Sequence, residues 1–131
     1  MARETIAKTD HYMYEVDPDI NRLYTTLWGL WKDAGVAPNV LRDIGLALDR
    51  LKPGFTNLVD STQFKMPSKD VMKLFEKVQQ KIVAAGISKN AEVVSSAFVE
   101  LNLEKVLKES ELSHVSRQFK SMADALVWLN E

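Results

Sequence analysis

The residues of this sequence best suited to chemistry are Asp60 and Ser61, which end the apolar segment Phe55–Ser61 (FTNLVDS). Such a run is typical of a parallel strand that is buried on both faces, and ligands usually bind beyond the carboxyl ends of such strands. Asp60 and Ser61 are therefore candidates to face a ligand or a partner protein. In the other interpretation, which we favour, the Asp60 carboxylate accepts hydrogen bonds from nearby backbone amides, as aspartate does in many turns.

Two more serines extend this candidate surface, because each stands between a predicted strand and the helix that follows it. Ser68 is predicted to be the N-cap of a long helix, and Ser95 follows the short strand Ala91–Val94. A deep pocket around Asp60, Ser61, Ser68 and Ser95 would indicate a ligand or catalysis. A flat patch there would indicate a protein partner.

No complete catalytic or metal-binding set accompanies these residues. Ser61, His114 and Asp60 are the residue types of a catalytic triad, but no nucleophile elbow surrounds the serine. The two histidines, His11 and His114, belong to different predicted elements and lack carboxylates at metal-ligand spacing. Cysteine is absent, and the five glycines are too scattered to form a phosphate-binding loop. We therefore expect no enzymatic activity, no metal and no cofactor.

Aromatic residues are concentrated near the start of the chain, where they could contribute to an interface. If the first predicted hairpin lies at a sheet edge, alternate rings could form an exposed platform for a partner or for a homodimer. In the alternative interpretation, the inward-facing rings are simply core. The candidate interface aromatics are Tyr12, Tyr14, Tyr24, Trp28 and Trp31.

Charge gives little support for binding to nucleic acid. The sequence has 17 basic and 18 acidic side chains and a net charge of -1, so no general attraction to phosphates is expected. Lysines recur every fourth residue at Lys69, Lys73, Lys77 and Lys81. Such a row could approach an anionic surface, but it is more often a solvated helix face. We expect the solvated face and no nucleic-acid partner.

The remaining pattern predicts the elements that must position these residues. Two strand-like runs joined by turn residues predict a hairpin, and each later predicted strand is followed by a predicted helix. Because each helix supplies a crossover, we expect an α/β domain with a mixed, mostly parallel sheet of about five strands, an antiparallel N-terminal edge strand and about four helices. The predicted elements are strands 12–16 and 23–28, helix 38–51, strand 55–61, helix 68–85, strand 91–94, a weaker helix around 103–107, strand 114–119 and helix 122–129.

This element order, together with particular residues, resembles the STAS superfamily of SpoIIAA-like domains over residues 12–131, with residues 1–11 as a polar leader. The closing helix is similar to that of small stand-alone SpoIIAA-like proteins. The residues that carry the resemblance are Gly29, the helix end ALDRLKPGF, the NLVD strand, the helix reaching Gly86 and the ending FKSMADALVWL. The resemblance implies a βα superhelix.

The resemblance also implies a function. Domains of this type are non-enzymatic and act through protein-protein contacts, often in regulation. In anti-sigma-factor antagonists a phosphorylatable serine stands at the start of the helix after the third strand, and Ser68 is the hydroxyl at that point here. Pro67, Lys69 and Asp70 depart from the surrounding pattern. The related Sec14-like domains imply an alternative, a carrier of a small apolar ligand or lipid.

The composition is that of an ordinary globular protein rather than a disordered or membrane chain. Hydrophobic residues make up 46% and charged residues 27% of the 131 residues. The apolar runs are too short to cross a membrane, and the N-terminus lacks the apolar core of a secretory signal. With no cysteine to form disulfides, we expect a cytoplasmic protein.

Overall fold

The computed structural model describes residues 3–65, 68–95 and 111–131. Within these ranges the chain forms a six-stranded sheet and three α-helices. The strands are β1 (Glu4–Lys8), β2 (Tyr12–Asp17), β3 (Arg22–Leu30), β4 (Thr56–Lys65), β5 (Lys89–Val93) and β6 (Ser116–Phe119). The helices are α1 (Val40–Leu48), α2 (Lys69–Ala84) and α3 (Met122–Leu129), with single 3-10 turns at Ala34–Val36 and Glu111–Val115.

The strands lie in the sheet in the same order as in the chain. β1, β2 and β3 are antiparallel neighbours, whereas β3 to β6 run parallel to one another. The α/β class and the mixed, mostly parallel sheet are therefore confirmed. The predicted helix around 103–107 lies outside the described residues.

The edge of the sheet differs from the prediction. The supposed polar leader contains β1, so the described sheet has six strands and β2 is an interior strand. All of β1 is at least partly accessible, and four of its five residues are polar or small, as in an unstructured leader. Pairing with β2 holds β1 in place, and an ion pair joins Glu4 to Arg50 just beyond α1.

Helices cover the two faces of the sheet unequally. α1 and α2 lie on one face, over a large core that contains Val16, Leu23 and Val59. α3 lies on the other face, where it packs on β4, β5 and β6 over a smaller core around Leu58 and Ala91. On β3, Tyr24 joins this smaller core, whereas the second face of β1 and β2 has no covering helix within the described part of the chain.

Most of the candidate interface aromatics are part of the core, which corrects the expectation of an exposed platform. Tyr12, Tyr14 and Trp31 are at most 2% exposed and lie under the helices, while Tyr24 is buried on the opposite face. Only Trp28 is partly accessible. Strand alternation explains the outcome, because β2 is an interior strand and its tyrosines both point toward α1 and α2.

The turn after α2 depends on a glycine. Gly86 has a positive φ of 92°, and a Cβ placed on it would lie 3.0 Å from the Cβ of Pro53. This close approach lets the Gly54 amide donate to the Gly86 carbonyl at 2.7 Å. The turn before β4 and the turn before β5 are therefore hydrogen-bonded to each other at the amino-terminal edge of the parallel strands.

No helix within the described ranges is both long enough and apolar enough to cross a membrane.

Candidate functional site

Asp60 and Ser61 do not end their strand. β4 continues to Lys65, so both residues lie in its middle, which corrects the expected position at the carboxyl edge. The Asp60 carboxylate accepts hydrogen bonds from the Thr62 amide at 3.0 Å and from the Thr62 hydroxyl at 2.7 Å. Ser61 is 1% exposed, and its hydroxyl donates to the Val93 carbonyl at 2.9 Å. Local hydrogen bonding therefore accounts for both side chains.

The other two serines of the candidate surface also serve local structure. Ser68 precedes α2 as predicted, but its hydroxyl makes no cap bond to the helix and instead donates to the Asp70 carboxylate. That bond, and a second from the Ala34 amide, lower the pKa of Asp70. Ser95 is exposed and donates to the Thr62 carbonyl at 2.8 Å. Asp60 and Ser95 thus meet around Thr62, whereas Ser61 is buried and Ser68 belongs to a separate contact.

The histidines and lysines follow the more conservative interpretations. The ring of His11 packs edge-on against Trp31, with ring centroids 5.9 Å apart, and His114 is exposed in a 3-10 turn. The described ranges contain no cluster of three metal-ligating side chains. The lysine row on α2 is exposed along its whole length.

Buried polar side chains cross the parallel strands beneath α2. In the strand register, Asn57 of β4 lies beside Asn90 of β5, which lies beside Ser116 of β6. The Thr25 hydroxyl donates to Asn57 at 3.1 Å, and the Asn57 amide donates to Asn90 at 2.9 Å. The Asn90 amide then donates to the Ser116 hydroxyl at 3.1 Å. These side chains form a continuous hydrogen-bonded row across β3 to β6.

Glu92 lies next to this row, two residues beyond Asn90 on the same face of β5. Its side chain is 4% exposed, and its Oε1 is 3.5 Å from the Asn90 amide nitrogen. Gln118, its neighbour in the β6 register, also hydrogen-bonds to the carboxyl group. Burial raises the pKa of Glu92 to about 7, and the bonds from Asn90 and Gln118 oppose that rise. Its Oε2 has no hydrogen-bond partner in the described structure.

A second buried oxygen without a partner belongs to a side chain of α2. Gln79 lies on the buried side of α2 and is 7% exposed, and its Oε1 has no hydrogen-bond partner within the described residues. Buried polar atoms in folded proteins are almost always hydrogen-bonded, to protein or to ordered water. Two unpartnered acceptors, one on α2 and one on β5, therefore mark this region as unusual.

Both oxygens belong to side chains that line a cavity between the sheet and α2. The cavity volume is about 50 Å³. Its apolar lining is Tyr14, Leu27, Val59, Phe75, Val78, Ile82 and Leu112, and its polar lining is Thr25, Asn57, Gln79, Asn90 and Glu92. Apolar walls with a few convergent polar groups are typical of small-molecule sites.

The polar groups of this cavity are few and lie among apolar walls. They are one carboxylate, three side-chain amides and a threonine hydroxyl, beside the phenol of Tyr14. Such a lining can hold a molecule between apolar walls and fix its orientation through hydrogen bonds.

The sequence contains a signal for this site within its buried strands. Asn57 and Glu92 interrupt strands that are otherwise apolar, and aspartate, glutamate and asparagine are seldom fully buried without a partner. Glu92 lies inside the predicted strand 91–94, away from the polar residues at strand ends that the predicted site comprised. Polar residues inside a strand buried on both faces were the more informative positions.

Comparisons with known proteins do not assign this arrangement. Neither the protein-family models nor the curated proteins contain a match to this chain.

Proposed function

We propose that this domain binds a small molecule in the cavity between the sheet and α2, and that it acts as a carrier or sensor rather than as an enzyme. The observation that carries the proposal is the pair of buried oxygens, Glu92 Oε2 and Gln79 Oε1, which have no partner within the described structure. Leaving a buried polar group unpaired costs about 1–3 kcal/mol. A bound molecule that donates hydrogen bonds to both atoms would recover that free energy.

The surroundings of the two oxygens support the same conclusion. Phe75, Val78 and Ile82 of α2 face Val59 of β4 across the cavity, so the body of a ligand would meet apolar side chains. The resemblance to SpoIIAA-like domains supports a non-enzymatic role, and the six-stranded mixed sheet is compatible with that resemblance. Ligand binding develops the carrier hypothesis of the sequence analysis.

An NMR titration with ethanol, a neutral ligand small enough for a cavity of about 50 Å³, tests this function. We expect amide shifts that saturate and that include residues of α2 and β5. The variant Val78→Phe fills the cavity, so it should abolish these shifts, although extra volume in a packed core costs about 1–3 kcal/mol of stability. The control Val127→Phe makes the same change on α3, where the side chain is 65% exposed, and should leave binding intact. Saturable shifts that survive Val78→Phe, or no shifts at all, would refute the proposed site.

A second candidate function, a protein-protein contact, is favoured by the sheet face that α3 leaves uncovered. On this face Met13 lies opposite Thr26, and both are partly accessible, while their neighbours Tyr12 and Leu27 point into the core. Trp28 lies on the same side as Thr26 by strand alternation. A partner or a second copy of the chain could dock here.

A pull-down from the native host tests the second candidate. Met13→Glu places a negative charge on the uncovered face, and the control Lys77→Glu places one on the exposed lysine row, where it reverses the charge. A partner captured by the wild type and by Lys77→Glu, but not by Met13→Glu, would support the contact. If the wild type enriches no protein over an unfolded control, the contact is refuted. Sedimentation that gives only monomer at high concentration would exclude the homodimer.

A further inference from the structure

We infer that the ligand of this cavity is a compact amine, whose ammonium group donates hydrogen bonds to Glu92 Oε2 and Gln79 Oε1. This inference rests on the proposed function and specifies the chemical class of the ligand.

The two unpartnered atoms are of the same type. Both are oxygens, an amide oxygen on Gln79 and a carboxyl oxygen on Glu92, and both accept hydrogen bonds once Glu92 is ionised, above its pKa of about 7. An ammonium group offers three donors and no acceptor, which suits two acceptors at once. A carboxylate, phosphate or ketone on the ligand would add acceptors to a place that already has too many.

The protein positions one carboxylate oxygen of Glu92 and leaves the other available to a ligand. Asn90 and Gln118 both hydrogen-bond to the Glu92 side chain, and Asn90 is itself fixed by Asn57 and Ser116. This support comes from the neighbouring strands β4 and β6. The carboxylate is therefore oriented before a ligand arrives, and preorganisation of this kind increases affinity.

The charge of the cavity lining favours a cationic ligand. Among the described lining residues, Glu92 is the only group that can carry a charge near neutral pH, and none is lysine, arginine or histidine. The other titratable group is Tyr14, whose pKa burial raises, so the phenol remains neutral. A buried carboxylate without a counter-ion is costly, and a cationic ligand would supply that counter-ion. An anionic ligand, such as a fatty acid, would be repelled.

The walls and the volume limit the rest of the ligand. Tyr14 and Phe75 present aromatic rings, which attract cations and pack against apolar groups. A volume of 50 Å³ corresponds to only a few water molecules, at roughly 10–15 Å³ each. The ligand is therefore an amine on a small apolar body rather than a long-chain lipid.

Three ligands that share one apolar body and differ in the head group test this inference. Ethylamine, ethanol and propionate are titrated into the protein at pH 8, and binding is measured by calorimetry and by NMR. Glu92→Gln removes the charge and retains the shape, and Glu131→Gln is the matched control at an exposed carboxylate. A hydrogen bond to a charged group is worth about tenfold or more in affinity.

We expect ethylamine to bind at least about tenfold more tightly than ethanol, with propionate the weakest. Glu92→Gln should remove that preference for ethylamine and change the affinity for ethanol by no more than about twofold. Glu131→Gln should behave as the wild type. Circular dichroism establishes that each variant is folded.

The outcomes separate this inference from the proposed function. If ethanol binds in a manner that Val78→Phe abolishes, but ethylamine has no advantage or Glu92→Gln has no effect on it, the amine is refuted and the cavity remains a ligand site. Propionate binding as tightly as ethylamine would also refute the amine. If none of the three binds, the inference and the proposed function both fail.

Discussion

Replacement of Glu92 by glutamine should make the protein much less sensitive to pH. In the folded protein, burial raises the pKa of Glu92 from 4.5 to about 7. Between these values the folded state keeps a proton that the unfolded state has released. Unfolding therefore releases protons in this range, and the free energy of unfolding falls as pH rises. Below about 4.5 the carboxyl group is neutral in both states, and above about 7 the loss levels off.

The size of the effect follows from the same two pKa values. Integration of the proton linkage between pH 5 and pH 8 gives a loss of about 2.5 kcal/mol from this one group. The loss is a substantial part of the 5–15 kcal/mol that is typical of globular domains. Glutamine has nearly the same shape and no charge, so the variant should not show this part of the loss.

Urea unfolding at pH 5 and pH 8, followed by tryptophan fluorescence, measures the effect. The wild type should lose about 2.5 kcal/mol more than Glu92→Gln between the two pH values. Other titrating groups are common to both proteins and cancel in the comparison. The control Glu131→Gln alters an exposed carboxylate and should follow the wild type. If the wild type and Glu92→Gln have the same pH dependence, the Glu92 carboxylate is solvated or paired, and the description of the cavity is refuted.

Three further substitutions test other parts of the structure by urea unfolding. Gly86→Ala should cost about 2 kcal/mol, because a Cβ there meets Pro53 at 3.0 Å and φ is positive. The control Gly45→Ala has nothing within 4 Å of its Cβ and should stabilise the protein by up to about 1 kcal/mol. Equal effects would refute the close approach of Gly86 to Pro53. Tyr12→Phe should lower the free energy of unfolding by about 2 kcal/mol, because the Tyr12 hydroxyl donates to the buried Asp43 carboxylate at 2.5 Å. An unchanged free energy of unfolding would show that this bond does not stabilise the fold. Asp60→Ala should cost less than about 1 kcal/mol and leave binding of ethanol intact, because its hydrogen bonds are local. Loss of binding would restore Asp60 as a site residue.

The sequence predicted much of the fold because several elements carry strong local patterns. The final helix, predicted at 122–129, has these bounds in the structure, where the Ser121 hydroxyl caps it by accepting a hydrogen bond from the Asp124 amide. The parallel strand that begins near Phe55 was also recognised. β1 was missed because an edge strand with a polar, half-exposed sequence has no clear apolar alternation.

The candidate site was much harder to predict, because it depends on contacts between distant elements. Thr62 to Lys65 extend β4 past the supposed strand end, and nothing local distinguishes such an extension from a polar loop. The pairing of Asn57 with Asn90 depends on the strand register, and the approach of Gln79 depends on how α2 packs on the sheet. A cavity is a property of that packing. The polar residues could be identified in the sequence, but their convergence could not.

Intermolecular NOEs from bound ethylamine show whether a small molecule binds between the sheet and α2. We predict NOEs from its methyl group to the methyl groups of Val59, Val78 and Ile82, and from its CH2 group to protons of Gln79. NOEs to the uncovered face around Met13, or none despite saturable binding, would contradict binding in this cavity.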